Sequence, residues 1–198
     1  MAVPTLFAST ATTSTRPRVW VGCLHCYNSG RLVGAWYECA DIADDPSAFD
    51  VGRIHDDGGY PATTSCEELW CFDTDNVPSI CEFDLLEATR WGECYAELDA
   101  EHLWSALCAW VASGSYTQDA YGLPVVSDFL ERFCGHWDSF NDFAYALIED
   151  TIDMSSWDDL AQRYFDYEAF ARDLKYDYST QLVEPYCGQH GVFIFRDS

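Results

Sequence analysis

The apolar residues in the first part of the chain are spaced as in short β-strands. Arg18–Leu24 and Gly34–Cys39 have strand composition, and turn-forming residues separate them at Tyr27–Gly30. A third strand is predicted near Val51–Ile54, ahead of a tight loop at His55–Pro61 that contains two adjacent glycines. This part of the chain is therefore predicted to be β-rich and to begin as a hairpin.

Helical spacing of apolar residues begins after Pro78. It predicts one helix over residues 83–98 and a second helix that Asp99 caps and Gly114 ends. The middle of the chain is therefore predicted to be helical.

Three further helices and a closing strand are predicted in the remaining sequence. The helices start at Ser127 and at Ser139, where Asp142 has the position of a capping box, and the last one covers roughly Tyr167–Leu174. Gly191–Phe195 has the composition of a strand. No repeat of fixed period is present in the sequence.

The order of strands, helices and a final strand favours an α+β fold over a doubly wound sheet. We predict four parts. Residues 1–17 form a disordered tail rich in Ser, Thr, Ala and Pro, and residues 18–77 form a β-rich domain with an antiparallel sheet. Residues 78–114 form a helical middle domain, and residues 115–198 form a C-terminal α+β domain.

Net charge narrows the choice of partner. The 198 residues carry 34 acidic and 10 basic side chains, for a net charge of −24, and only Lys175 among the basic residues is a lysine. Duplex DNA carries one charge per ~1.7 Å, so this charge equals that of about 41 Å of duplex. Such an excess opposes nucleic-acid binding and destabilises a compact chain by self-repulsion, so it indicates a cationic partner.

The N-terminus has neither a basic segment nor an apolar segment of the kind found in secretory leaders. No window approaches the ~20 apolar residues of a membrane-spanning helix. The ten cysteines are therefore expected to be free thiols in a reducing cytoplasm, with no membrane partner.

Three arrangements of residues are candidate sites of chemistry. Cys23 and Cys26 have redox or zinc-knuckle spacing, but no compact second ligand pair follows, which favours structural thiols. His55 next to two aspartates is more typical of loop structure than of a catalytic base. Asp158–Asp159 is a pairing expected by chance among so many acids. No catalytic residue, cofactor or metal ion is predicted.

The spacing of the acids is more informative. Glu149, Asp150 and Asp153, and likewise Asp138 and Asp142, have helical spacing, which separates them by about 4.5–6 Å along a helix axis. That distance is on the scale of the ~3.4 Å step between phosphates of one DNA strand. Because like charges at this spacing weaken a helix, local stability does not explain them.

The acids predicted to bind a partner in the place of phosphates are Asp41, Asp44, Asp45, Asp56, Asp57, Glu67, Glu68, Glu87, Glu93, Glu97, Asp119, Asp128, Glu131, Asp138, Asp142, Glu149, Asp150, Asp153, Asp158 and Asp159.

Several blocks of the sequence resemble one known family. They are Val19–Gly22, Tyr27–Trp36, the Ile-His-Asp loop at Ile54–Tyr60, the segment Phe129–Ala144, Tyr164–Leu174 and the ending Val192–Arg196. In these ordered blocks the chain resembles the ArdA antirestriction proteins, which plasmids, conjugative transposons and phages spread. Phe129–Ala144 is similar to the family's antirestriction motif. The resemblance covers roughly residues 18–198.

The resemblance implies an elongated three-part α+β protein that mimics B-form DNA and is not an enzyme. It implies a homodimer that occupies the DNA-binding groove of type I restriction-modification enzymes, in the methyltransferase core of specificity and modification subunits. Restriction, and in some cases modification, would be inhibited in the cytoplasm of a bacterial host. Two copies carry about −48, the charge of roughly 80 Å of duplex.

The resemblance places pairing of the two copies in the C-terminal part. Phe129, Phe133 and Trp137 recur at helical spacing on one face, and Phe140 follows the Ser139 cap. Most of these rings are expected in the subunit's own core. The dimer contact is nevertheless predicted to include apolar residues of this segment.

Two alternative hypotheses, which assign the chain to other classes of protein, remain open. A cytoplasmic protein of a halophile would also be acidic and poor in lysine, although its aromatic and cysteine content would be unusual. An enzyme with a site at His55 or at Cys23–Cys26 is the other alternative.

Overall fold

The structure is a computed structural model that describes residues 15–79, 81–183 and 190–197. These residues form nine α-helices and two antiparallel three-stranded sheets. The predicted α+β fold is therefore confirmed. Most of the predicted tail, residues 1–14, lies outside the described residues. The predicted elongation stays a prediction.

The first sheet consists of β1 (Arg18–Cys23), β2 (Gly34–Glu38) and β3 (Leu69–Asp75), in the order β2-β1-β3. All of its strands are antiparallel. Val19 and Val21 are fully buried on one face of the central strand, because side chains two residues apart point the same way. The first two predicted strands are confirmed, whereas β3 lies in a segment for which no strand was predicted.

Three short helices connect these strands: α1 (Leu24–Asn28), α2 (Cys39–Asp44) and α3 (Val51–Asp57). The predicted strand at Val51–Ile54 is wrong, because this segment is the first half of α3. Asp50 starts the helix by accepting the backbone N–H of Arg53 at 2.8 Å. An aspartate in this capping position outweighs the weak strand preference of two β-branched residues.

The middle of the chain contains α4 (Leu85–Leu98) and α5 (Trp104–Ala112). The carboxylate of Asp84 caps α4 by accepting the N–H of Glu87 at 2.9 Å. The prediction that Asp99 caps the next helix is wrong. Asp99 has a φ of 46°, a left-handed conformation that aspartate tolerates, and it ends α4 instead.

Helices α2 and α4 pack closely at Gly92. A Cβ added there would lie 2.1 Å from the backbone oxygen of Cys39. Backbone atoms cannot move aside as the end of a side chain can, so only glycine fits this crossing.

Gly92→Ala is therefore expected to destabilise the protein by about 1–3 kcal/mol, the usual range for overpacking. Helix propensity alone predicts the opposite sign. Ala96→Gly, on the exposed face of the same helix, is the matched control and is expected to cost about 1 kcal/mol. Urea unfolding of both variants measures these free energies. A Gly92→Ala variant as stable as the wild type would contradict the close packing.

The C-terminal part adds four helices and the second sheet. Its elements are α6 (Val126–Arg132), β4 (Phe133–Trp137), α7 (Phe140–Thr151), α8 (Asp159–Tyr164), α9 (Tyr167–Leu174), β5 (Tyr178–Leu182) and β6 (Val192–Arg196). The strand order is β4-β6-β5. The predicted Ser139 cap is confirmed, since its hydroxyl oxygen accepts the N–H of Asp142 at 3.2 Å.

The predicted helical face through Phe129, Phe133 and Trp137 is wrong. The helix ends at Arg132, and Phe133 starts a strand that pairs with β6. Gly135 in this strand has a φ of 109°, which no α-helix contains. The four-residue spacing of these aromatic residues is the same in a continuous helix and in this helix–strand junction, so the sequence pattern could not distinguish them.

One apolar core joins all three predicted folded parts. It contains Val19 of β1, Trp91 of α4, and Trp110 of α5 together with Phe129 and Phe195. The Trp110 ring centroid lies 5.7 Å from that of Phe129 and 6.2 Å from that of Phe195. The second sheet thus packs on the middle helices. The division into separate domains stays a prediction.

Candidate functional site

The acidic side chains lie on the surface of the protein. Every aspartate and glutamate in the described residues is at least partly exposed, and only Glu38, Glu87 and Asp128 are half-buried. The acids that were predicted to bind a partner are therefore accessible. These acids differ in whether they have hydrogen-bond or ion-pair partners within the protein.

One group of these acids stabilises local structure. Asp158 caps α8 by accepting the N–H groups of Leu160 and Ala161, each at 2.9 Å. The candidate acids with hydrogen-bond or ion-pair partners are Asp45, Asp57, Asp119, Asp128, Asp142, Asp153 and Asp158. Their positions are explained without a partner protein.

Asp128 shows how strong such a local role can be. Its carboxylate accepts the hydroxyl of Thr117 and lies 2.8 Å from Nε of Arg132, one helical turn away. The Thr117 hydrogen bond, with the Arg132 charge, lowers the pKa of the Asp128 carboxyl. Asp128 is therefore less available to an outside cation than an exposed acid without a partner.

The other group has no side-chain hydrogen bond or ion pair within the described part of the chain. It consists of Asp41, Asp44, Asp56, Glu67, Glu68, Glu87, Glu93, Glu97, Glu131, Asp138, Glu149, Asp150 and Asp159. We call these residues the unpaired acids. Nothing that the structure describes neutralises their charge.

Several unpaired acids lie at the wrong end of a helix. Asp44 is in the last turn of α2, Glu97 of α4, Glu131 of α6, and Glu149 and Asp150 of α7. The C-terminus of a helix carries a partial negative charge, so a carboxylate there is unfavourable. The last turns of α2, α4 and α7 also contain no basic residue. These carboxylates therefore lower the stability of the helices that contain them.

A comparison with protein-family models identifies the chain. The model of the antirestriction protein ArdA matches residues 19–187, which extend from the second residue of β1 through β5. The chain belongs to the ArdA antirestriction family. No curated protein sequence matches it. The family consists of antirestriction inhibitors rather than enzymes.

Two spacing predictions for the ArdA acids are wrong. Helix α7 ends at Thr151, and Asp153 lies after it, where its carboxylate accepts the N–H of Ser155 at 3.1 Å. Asp138 precedes the Ser139 cap and is outside the helix that contains Asp142. The phosphate-like axial spacing of these pairs along one helix is therefore not formed.

The four aromatic residues predicted at an ArdA dimer contact differ in exposure. Phe129 is 0% exposed and Phe140 is 7% exposed, and both are packed in the subunit's own core. Phe133 and Trp137 are half-buried. Only these two have surface to offer a second subunit.

The predicted alternative of a catalytic base at His55 is not assembled in this structure. His55 is buried, whereas its neighbours Asp56 and Asp57 are exposed. Asp57 instead accepts the hydroxyl of Tyr37 at 2.6 Å and lies 3.6 Å from Nε of Arg53. Among the acids that the structure describes, none orients the imidazole.

The expectation that Cys23 and Cys26 lack further ligands is wrong. The thiols of Cys23, Cys26 and Cys66 and the imidazole of His55 are buried, and their ligand atoms all lie within 4.8 Å of one another. We call these four residues the Cys/His cluster. His55 comes from α3 and Cys66 from the loop before β3. Such residues have the chemistry to hold a metal ion.

Cys66 has polar groups of Thr63 close to its sulfur atom. The hydroxyl oxygen and the backbone nitrogen of Thr63 lie 3.3 and 3.5 Å from Sγ of Cys66. Hydrogen bonds from these two groups lower the pKa of the Cys66 thiol, whereas burial raises the pKa of Cys26. The nine cysteines in the described residues are all free thiols.

The described residues include no helix that is both long enough and apolar enough to cross a membrane.

Proposed function

We propose that this ArdA protein inhibits type I restriction-modification enzymes by mimicking the charge and shape of B-form DNA. It occupies the DNA-binding groove of the methyltransferase core, which the specificity and modification subunits form. Restriction is blocked because DNA cannot enter, and modification is blocked where it uses the same groove. The proposal rests chiefly on the unpaired acids at the ends of helices.

These acids have the properties that a phosphate substitute needs. They are exposed, fixed on helices, and unpaired within the described chain, so a groove lined with Lys and Arg can replace water around them. Their charge also speeds the encounter with a cationic groove. Because carboxylates display no base edges, inhibition is expected to extend to enzymes with different target sequences.

Pairing of two copies is part of the proposal. A homodimer doubles the length of duplex that is replaced, to roughly 80 Å of charge equivalent. Phe133 and Trp137 are the rings of the antirestriction segment that retain surface for such a contact. Sedimentation in moderate salt measures the state of assembly.

The direct test is the affinity of the labelled protein for a type I methyltransferase at several salt concentrations. Its Kd is expected to rise steeply between about 50 and 300 mM salt, as expected for contacts between exposed charges. Binding must be measured directly, because the affinity of competing DNA also falls with salt. Labelled duplex should be displaced from the enzyme and should not bind the inhibitor.

Circular dichroism over the same salt range is the control. A protein that unfolds at low salt and gains structure at high salt would fit a halophile's surface instead. A Kd that stays constant across the range would contradict mimicry by charge.

A further inference from the structure

The Cys/His cluster lies in the N-terminal part, where the end of β1, helices α1 and α3 and the loop before β3 meet. Cys23 is the last residue of β1 and Cys26 lies in α1, so the two are held by the turn that follows the central strand. His55 extends from α3, and Cys66 ends a loop without regular structure that leads towards β3. The four side chains therefore come together only in the folded chain.

The geometry of the cluster is close to that of a tetrahedral metal site. Zinc–sulfur bonds of about 2.3 Å place two thiolates of a tetrahedral site about 3.8 Å apart. Sγ of Cys26 lies 4.0 Å from Sγ of Cys66, and no two ligand atoms in the cluster are more than 4.8 Å apart. Closing the longest of these distances by about 1 Å brings the ligand atoms to the spacing of a tetrahedral site.

His55 is oriented as a metal ligand. Its Nδ1 lies 2.7 Å from the backbone oxygen of Tyr60, and a carbonyl can only accept, so Nδ1 carries the proton. Nε2 is then left with its lone pair. That atom is buried and has no hydrogen-bond partner among the described residues. Because His55 is only 2% exposed, bulk water does not take the place of such a partner. A ligating histidine held by a backbone carbonyl is the usual outer-shell arrangement of zinc sites.

A disulfide explains the cluster less well. The sulfur atoms of Cys26 and Cys66 are about twice the ~2.05 Å bonding distance apart. A disulfide would also leave one buried thiol and the partnerless imidazole nitrogen without a role. Apolar packing is no better an explanation, because Val33 and Val51 are the only apolar side chains in the described residues that group with these three cysteines.

We propose that Cys23, Cys26, His55 and Cys66 bind one zinc ion in a closed structural site. Three sulfurs and one nitrogen in tetrahedral array are the donor set that zinc prefers among common metals. Four protein ligands leave no open position for water or substrate, so the ion has a structural role and catalyses no reaction. The argument for this site does not rest on the proposed inhibition of restriction enzymes.

The ion adds a further connection between α3, the loop before β3 and the turn that follows β1. Residues 58–68 contain no helix or strand, and Cys66 fixes their far end against the sheet. On the near end, His55 fixes α3. Zinc thereby positions the exposed acids Asp56, Glu67 and Glu68, which flank two of its ligands in sequence.

Zinc content of the full chain, purified under reducing conditions from zinc-supplemented cells, tests the proposal. About one zinc per chain is expected for a single closed site. Cys26→Ser should lower this content at least about tenfold, and His55→Cys should retain it, because four thiolates also form a structural zinc site. Cys94→Ser is the matched control, since Cys94 is equally buried but lies in α4, outside the cluster. His25→Ala removes an exposed neighbour and should also keep the ion.

A second measurement does not depend on the folding of any variant. Wild-type protein stripped of zinc and titrated with cobalt(II) should develop the visible absorption of tetrahedral cobalt together with a thiolate charge-transfer band. Zinc should then displace the cobalt. Wild-type protein that contains no zinc and gives no such spectrum would overturn the proposal. Loss of the ion from Cys94→Ser to the same extent as from Cys26→Ser would overturn it as well.

Discussion

Replacement of five unpaired acids by their amides is expected to reduce inhibition of a type I enzyme by about a hundredfold or more. The variant is Asp44→Asn, Glu97→Gln, Glu131→Gln, Glu149→Gln and Asp150→Asn. Each exposed carboxylate contributes about 1 kcal/mol or less, so a single change should have an effect of about fivefold at most. The five positions lie on four helices, and their contributions are expected to add where they are far apart.

The same substitutions should not harm the fold. All five acids lie in the last turns of their helices, so neutralising them removes an unfavourable interaction with the helix dipole. The melting temperature is therefore expected to stay constant or rise slightly. Loss of inhibition in a more stable protein would separate a role in binding from a role in folding.

The matched control keeps the charge and changes only the side-chain length. It carries Asp44→Glu, Glu97→Asp, Glu131→Asp, Glu149→Asp and Asp150→Glu, and it should inhibit within a few-fold of the wild type. Titration of both variants against restriction of an unmodified substrate gives the two inhibition constants. A neutralised variant as potent as the wild type would exclude these acids from the mechanism, and equal losses in both variants would point to shape rather than charge.

The fold class could be predicted from the sequence because the order of strands and helices follows from local patterns of residues. The α+β order, the first two strands and the Ser139 cap follow from local spacing and capping chemistry. The errors occur where two local preferences compete. Val51–Ile54 has strand composition but a helix cap before it, and Phe133 has helical spacing but a pairing partner in β6. The local Asp50 cap decides the first case, and long-range pairing with β6 decides the second.

The acidic surface and the Cys/His cluster also differ in how much of each could be predicted from the sequence. That the acids would be exposed follows from their number, but which of them the fold uses does not, because caps and ion pairs require known helix ends. The Cys/His cluster was missed because only Cys23 and Cys26 have a recognisable local spacing. His55 and Cys66 follow at intervals that no motif fixes, and α3 and the loop before β3 bring them to the pair.

Removal of zinc from the Cys/His cluster is expected to lower the melting temperature substantially. An ion that binds only the folded chain stabilises it by about 4 kcal/mol when free zinc is a thousand times the Kd. For a chain of about 200 residues this corresponds to a shift of roughly 8–16 °C. Thermal unfolding with and without a zinc chelator, under reducing conditions, measures the difference.

The location of the effect distinguishes a structural zinc from general stabilisation. Hydrogen exchange should increase first in residues 23–34 and 55–68, which the ion connects, while the second sheet stays protected because it packs on Trp110 and Phe129. Cys26→Ser should unfold at the temperature of the chelated wild type and should not respond to the chelator. A chelator that destabilises both proteins equally would act elsewhere, and the cluster would then be no more than four side chains buried together.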